Sequence, residues 1–327
     1  MSQSPTILWN DHMRLAIADV DETIADVYTP AEPGMITELS SFLRDGGKLF
    51  MVTGGSLGRV QRDITSRIEP LLRRHVLISH CSGAEVWGFM NSGELRATPF
   101  YSVYEETFTP EMKRLWREVI AQLVDEFALR PHPAQPKVSF WEEIGHDPHD
   151  IMLDDRGPQI TMEVVNGTDL SKSQLTLIPH KVPLTQGKYD LRLAIMARSR
   201  QLFRAIQLPV TARLGGNFAL DFAIAGVSKT TSITSVLNNP AVLATINLKL
   251  EDVQEPAHLE IWGDKYSVLR GGTDRHMSEA LPPEVRSIDF RQEDPAEFPA
   301  GYQIVLWDGS LHLHHGLLEY LRSRHGN

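Results

Sequence analysis

Cysteine is almost missing from this 327-residue chain: Cys81 stands alone, which excludes an internal disulfide and a cysteine-built metal cluster. Flanked by apolar residues in VLISHCSGAEVW, it reads as a small buried hydrophobe. Basic residues are in short supply. The 32 Lys and Arg face 42 Asp and Glu, and the net charge of -10 argues against a nucleic-acid backbone as partner. No apolar run approaches the ~18 residues of a membrane span. The opening MSQSPTILWNDHMR has no basic region followed by an apolar core and a small-residue cleavage site, so the expected location is the cytoplasm. There is no G-x-G-x-x-G after a strand, which leaves GGTD and TGGS too short to count as dinucleotide fingerprints. Internal repeats and low-complexity tracts are also lacking.

What is present is a succession of short apolar runs that stop at acidic residues or glycines. RLAIADVDET carries a strand at Leu15 to Ala18 with no polar alternation, which predicts burial on both faces and a parallel sheet. After Pro33, Met35, Ile36, Leu39, Phe42 and Leu43 recur at helical spacing, and Gly46 and Gly47 end the helix. KLFMVTGG is a second buried strand, and a second helix is expected from about Arg59 to Leu72. This β-α-β-α start predicts a doubly wound α/β domain, in which ligands bind beyond the carboxyl ends of the strands.

The texture changes after VLISHCSGAEVWG. Pro131, Pro133, Pro136 and Pro148 cluster in a polar region, and ITMEVV and QLTLIP read as short, partly alternating strands. Parallel-sheet texture returns from Phe218 to Val227, at HLEIWGD and at IVLWDG, and HLHHGLLEYLRSR is an amphipathic helix. The expected organisation is a core of residues 1–85 and 213–327 interrupted by an α+β module of residues 86–212.

Four strand ends carry chemistry. Asp19 and Asp21 lie one residue apart, so a loop there can aim both carboxylates into one pocket. Two such charges need a cation between them or a proton on one, unless one instead caps the next helix. Thr53 offers a hydroxyl beside Gly54 and Gly55, whose backbone can approach phosphate oxygens closely. Lys229 follows a Gly-Val-Ser turn and opens a helix, where its ammonium could neutralise a phosphoryl oxygen or simply be solvated. Asp264 closes LEIWG, and Asp274 follows Gly-Gly-Thr, a setting suited to a hard cation or to ordinary turn capping.

In order, DVDET, MVTGG, GVSK and WGDKYSVLRGGTD resemble the four motifs of the haloacid dehalogenase superfamily of phosphohydrolases and phosphomutases. A large insert between the second and third motifs resembles the branch with a C2B-type cap. Within that branch, LGGNFALDFAIAGVSK, GRVQRDI, DDRGPQITM and GDKYSVLRGGTDRHM look like stretches of phosphomannomutases and related sugar-phosphate phosphatases. The likeness runs from about residue 14 to 277. Three departures weigh against a mannose-phosphate mutase: Glu22 where glycine is usual, Thr273 where asparagine is usual, and VVNGTDLS in place of a Ser-Pro-Ile-Gly-Arg run.

The resemblance implies a Rossmann-like core with a cap, and a Mg²⁺-dependent phosphatase acting on a small phosphorylated metabolite, a sugar phosphate above all. Asp19 would be the nucleophile and Asp21 the acid and base. Mg²⁺ would be held by Asp19, the Asp21 carbonyl and Asp264, with Asp274 as a further ligand or support. Thr53, Gly54 and Lys229 would bind the phosphoryl group, and Arg156 and Asp221 would contact the substrate. A phosphohexomutase and a non-catalytic binding protein of the same fold are the alternatives. The expected partners are the small substrate and, as an option, a second copy in a homodimer, with neither nucleic acid nor membrane.

Two histidine clusters and one arginine stand outside this set. HLHH at His312 to His315 and RPHPAQP at His132 invite a metal reading, but thirteen histidines in a chain of this length produce such neighbours by chance. Arg59 could reach a phosphate or expose its charge on the helix, and the exposed charge is the preferred reading.

Overall fold

A strand without a polar face needs cover on both sides, and LAIA and LFMV have no polar face. In the computed structural model, which describes residues 6–325 except 186, 216 and 217, they lie in β1 (Leu15–Ala18) and β2 (Lys48–Val52), with every residue buried. They join β3 (Val76–His80), β4 (Glu85–Gly88), β5 (Tyr101–Ser102), β6 (Leu259–Gly263), β7 (Arg286–Asp289) and β8 (Ile304–Leu306) in one sheet. The order is β8-β7-β6-β1-β2-β3-β4-β5. Pairing is parallel from β8 through β3, and β4 and β5 add antiparallel strands at the edge.

Alternate residues go to opposite layers. Ala16, Ala18, Leu49, Met51 and Ile78 pack with α1 (Pro33–Arg44) and with a helix formed by the chain's last segment. Leu15, Ile17, Phe50, Val52 and Leu77 pack on the other side, against α3 (Lys229–Leu237). Each fully buried aliphatic chain contributes roughly 1.5–3 kcal/mol. The predicted helix from Arg59 to Leu72 is divided into α2 (Leu57–Asp63), a 3₁₀ turn at Thr65–Arg67 and one turn at Pro70–Arg73. Pro70 pushes Glu69 into extended backbone, which ends any continuous helix there.

The C-terminal segment is part of this core. Its helix, α4 (Leu313–Ser323), buries Leu317, Leu318, Tyr320 and Leu321. Glu260 of β6, fully buried, accepts hydrogen bonds from the Tyr320 hydroxyl (2.8 Å), Trp262 Nε1 (2.7 Å) and Arg286 Nε (2.8 Å).

The chain divides into two compact units, Met1–Ser102 with Val227–Asn327, and Val103–Gly226. Both boundaries fall later than 85 and 213. β4 and β5 extend the first unit's sheet, and the Phe218 to Val227 segment belongs to the second. Its strand Ala219–Ile224 is antiparallel to Val210–Gly215 and to Gln159–Glu163, not part of a parallel sheet. A short apolar strand reads alike in either setting. Asp150–Asp155 and Arg130–His132 complete that five-stranded sheet, which carries the helices Pro110–Glu126 and Leu191–Ala205. Among the described residues no helix is long and apolar enough to cross a membrane.

Between β3 and β4 the backbone turns through three left-handed residues, Cys81 (φ 52°), Ser82 (φ 59°) and Gly83 (φ 107°). A Cβ on Gly83 would lie 2.1 Å from the Ser228 carbonyl oxygen, so only glycine fits. The turn is anchored by a buried set: His80 Nε2 to Glu85 (2.9 Å), His80 Nδ1 to the Cys81 sulfur (3.1 Å), and the Ser102 hydroxyl to Glu85 (2.7 Å). Cys81 is buried, as expected, yet it is also a partner in a polar network. Burial alone would keep His80 neutral, but Cys81 and Glu85 push its pKa up to about 9. A pKa raised by folding stabilises the protein fully below the unfolded value near 6.5, and that contribution fades as pH rises through 9. Urea unfolding should therefore show wild type losing on the order of 2 kcal/mol more than His80→Gln between pH 6 and 9.5. Equal losses in the two proteins would remove His80 from this role.

Candidate active site

Parallel register sets the site. Ala18 of β1 lies opposite Met51 of β2 and Trp262 of β6, so the residues that follow these strands leave the sheet at one edge. Asp19, Thr53 and Asp264 all emerge there, each buried. Gly83, pressed on Ser228, brings the start of α3 to the same edge, with Lys229 as its first residue.

Lys229 is the centre of the cluster. Its buried ammonium donates to Asp19 Oδ1 (2.5 Å) and to Asp274 Oδ1 (2.7 Å). Asp274 in turn uses Oδ2 to accept the backbone N–H groups of Asp264 (2.8 Å) and Lys265 (3.0 Å), which fixes the loop after β6. Gly272 lets that loop fold tightly, since a Cβ there would meet the Lys265 carbonyl oxygen at 2.4 Å. Carboxylate oxygens of Asp19, Asp264 and Asp274 all lie within 4.8 Å of one another.

The electrostatics follow from burial and like charge. Desolvation, opposed by Lys229 and reinforced by Asp274 and Asp21, pushes Asp19 up to about 7. Desolvation and the nearby Asp274 likewise hold Asp264 well above the ordinary carboxylate range. Burial would raise Asp274 too, but Lys229 holds it below its usual value. Lys229 is desolvated as well, and the two carboxylates more than offset this and keep it charged. A cluster with two carboxylates pushed upward is short of positive charge.

Asp21 takes a different direction. Its side chain is ion-paired with Arg59 and lies 3.5 Å from the Thr53 hydroxyl. Arg59 is therefore not the solvated helix charge expected from sequence; it is buried, packs over the Tyr28 ring at 4.8 Å and also faces Asp63. The Thr53 hydroxyl oxygen accepts the Gly55 N–H (2.9 Å), which holds the Thr-Gly-Gly turn closed around Gly54.

Arg291 was not anticipated. It follows β7, the next strand along from β6, and donates through Nη2 (2.6 Å) and Nε (3.0 Å) to Asp264 Oδ2, while Oδ1 accepts from the Thr23 hydroxyl (3.4 Å). Arg291 also pairs with Glu22, and Lys265 reaches the same Glu22 carboxylate at 3.0 Å. Glu22, the residue standing where glycine is usual, has φ 65°. The left-handed backbone explains glycine there. Here the strain is held by two cations, which keep the Glu22 carboxyl below its usual pKa against the effect of burial. The sequence signal available was position: FRQED begins at a strand end on the same edge as the four motifs.

Arg156 and Asp221 lie in the second unit, linked to one another through Gln159. Arg156 N–H donates to the Gln159 carbonyl (2.9 Å), and Gln159 Nε2 donates to Asp221 Oδ1 (3.1 Å). Arg156 also binds Asp154 (2.7 Å), and Asp221 accepts from Thr161 (2.8 Å). Two cavities of about 300 and 410 Å³ are lined wholly by residues of this unit, among them Ile120 and Leu153 in one and Phe127 and His180 in the other; neither lining includes Arg156 or Asp221.

The Glu22–Arg291 pair is partly exposed, so its contribution is modest. In urea unfolding at pH 7, Glu22→Gln and Arg291→Gln should each destabilise, and the double variant should show a coupling of about 1 kcal/mol. Strict additivity would mean that the two side chains do not act as a unit.

Neither a family model nor a curated protein matches the chain. Solved structures do. A trehalose-6-phosphate phosphatase related protein, 13% identical, superposes with a TM-score of 0.51 over 94% of this chain and 95% of its own. The C-terminal domain of a Candida albicans trehalose-6-phosphate phosphatase, 12% identical, gives 0.56 over 95% and 91%. At such identities the likeness is one of fold, and it agrees with the order of the motifs along the chain: this protein shares the fold of these two structures.

Proposed function

We propose that this chain is a Mg²⁺-dependent phosphatase of small phosphorylated metabolites, most naturally a sugar phosphate. The observation that carries the reading is the convergence of Asp19, Asp264 and Asp274 on Lys229 at the carboxyl edge of a parallel sheet. The buried, acidic, oxygen-only donor set suits a hard divalent cation. Asp19 and Asp264 would hold it together with the Asp21 backbone carbonyl. Asp274 has both oxygens engaged by Lys229 and backbone N–H groups, which favours support over ligation. Bound there, Mg²⁺ would screen the carboxylates from a phosphate dianion and polarise the phosphoryl group.

The chain's own residues account for the remaining work. An Asp19 oxygen attacks phosphorus and displaces the sugar oxygen, forming an aspartyl phosphate. Asp21 protonates the departing oxygen and later takes a proton from the attacking water, and Arg59 orients its carboxyl for both. Lys229, the Thr53 hydroxyl and the Gly54 backbone bind the phosphoryl oxygens as charge redistributes. Arg156 and Asp221 are the proposed sugar contacts. The two fold relatives named above are called trehalose-6-phosphate phosphatases, or related to one, which supports a sugar phosphate as the substrate class.

Phosphate release from a panel of phosphorylated sugars tests this. Turnover should stop with EDTA and return with Mg²⁺; indifference to EDTA would remove the metal. Asp19→Asn should lower kcat by at least ~10³-fold in a protein that is still folded at the assay temperature, since the substitution removes the nucleophile. Phosphate transfer between sugar positions without net release would instead identify a mutase.

A further inference from the structure

Glu319, the acidic residue nearest HLHH on its own helix, accepts from Ser310 and the Leu311 N–H, and HLHH finds its carboxylate far along the chain. His312 is extended and Leu313 turns back with φ 54°, its N–H bonded to the Phe290 carbonyl (2.7 Å), so α4 begins with His314 and His315 turned toward α1. There they meet Glu32. His315 Nε2 lies 2.9 Å from Glu32 Oε1, and His314 Nε2 lies 3.8 Å from the same oxygen.

Glu32 is the N-cap residue of α1, yet its side chain makes no capping hydrogen bond to its own helix. The short aspartate carboxylate at that position turns to the N–H groups of the first turn, whereas the longer glutamate is free to reach elsewhere. This one is given over to the imidazoles. The imidazole centroids are 4.0 Å apart, and one ligand atom from each of the three residues lies within 4.8 Å of the other two.

The geometry points to a transition-metal site, of the kind zinc occupies, formed by His314 Nε2, His315 Nε2 and Glu32 Oε1. Tetrahedral zinc with bonds of ~2.0–2.2 Å spaces its ligand atoms about 3.4 Å apart, between the two separations found. Two nitrogens and one carboxylate oxygen suit zinc, cobalt or nickel, unlike the oxygen-only set around Asp19. Three protein ligands leave one position for water. Two features weaken the site: helix N-termini repel cations, and His314 Nδ1 has no hydrogen-bond partner to orient its ring. The site is therefore labile, binding and releasing its ion as metal availability changes. Occupied, it ties α4 to the start of α1.

Calorimetric titration of the untagged full chain with Zn²⁺ tests the assignment, with His315→Ala and Glu32→Gln as variants. Both side chains are about half exposed, so neither substitution threatens folding. Wild type should bind one Zn²⁺ at least tenfold more tightly than either variant, and Co²⁺ should give it a visible absorption band of low-symmetry coordination that the variants lack. Turnover of the sugar-phosphate panel should be the same in all three proteins without Zn²⁺. Zn²⁺ affinity unchanged by both substitutions, or no binding at all, would overturn the site and leave an ion pair only.

Discussion

The ammonium of Lys229 is the contact on which the cluster depends. Three buried carboxylates at one sheet edge repel one another at short range, and water is too scarce there to screen them. Lys229 touches two of them, and the second, Asp274, holds the backbone that presents Asp264. A single cation thus organises three separate chain segments. Burial makes this arrangement costly to break, because removing one partner leaves the others charged and desolvated. Burial raises Asp19 in spite of Lys229, while the two carboxylates keep Lys229 protonated.

Around that centre, other cations face the carboxylates that Lys229 does not reach. Arg59 takes Asp21, while Arg291 and Lys265 share Glu22 and Asp264. Guanidinium groups suit these places because their planar fork fixes the orientation of a carboxylate as well as its charge. Glu22 belongs to this outer ring. Where glycine would merely permit the left-handed backbone, glutamate adopts it and adds a charge that holds Arg291 beside Asp264.

Much of this was legible in the sequence, for a physical reason. Runs such as LAIA and KLFMV can be stable only if covered on both faces, and parallel strands force their ends to one edge, so Asp19, Thr53 and Asp264 could be placed together before any coordinates. Lys229 and Asp274 followed from the order of the motifs. What the sequence did not show has a different cause. Arg59, Arg291 and Glu32 look like solvated charges along the chain, and their partners lie 38, 27 and 283 residues away. The strand at Ala219–Ile224 was read as part of the parallel sheet because six apolar-rich residues do not reveal their neighbours. The predicted second helix is broken at Ile64 and Ile68 as well as before Pro70, and the helical spacing of its apolar residues concealed those breaks.

The contact of Gly83 with the Ser228 carbonyl acts as a spacer of fixed thickness. Its left-handed turn belongs to the strand beside the Thr-Gly-Gly segment, and the peptide it touches precedes Lys229. The distance from hydroxyl to ammonium is therefore gauged by a place where no side chain exists. Any residue other than glycine would act as a shim, widening the gap between the Thr53 hydroxyl and the Lys229 ammonium. The aperture of the site is in this sense machined by an omission, and drift at position 83 would detune it without touching a charged residue.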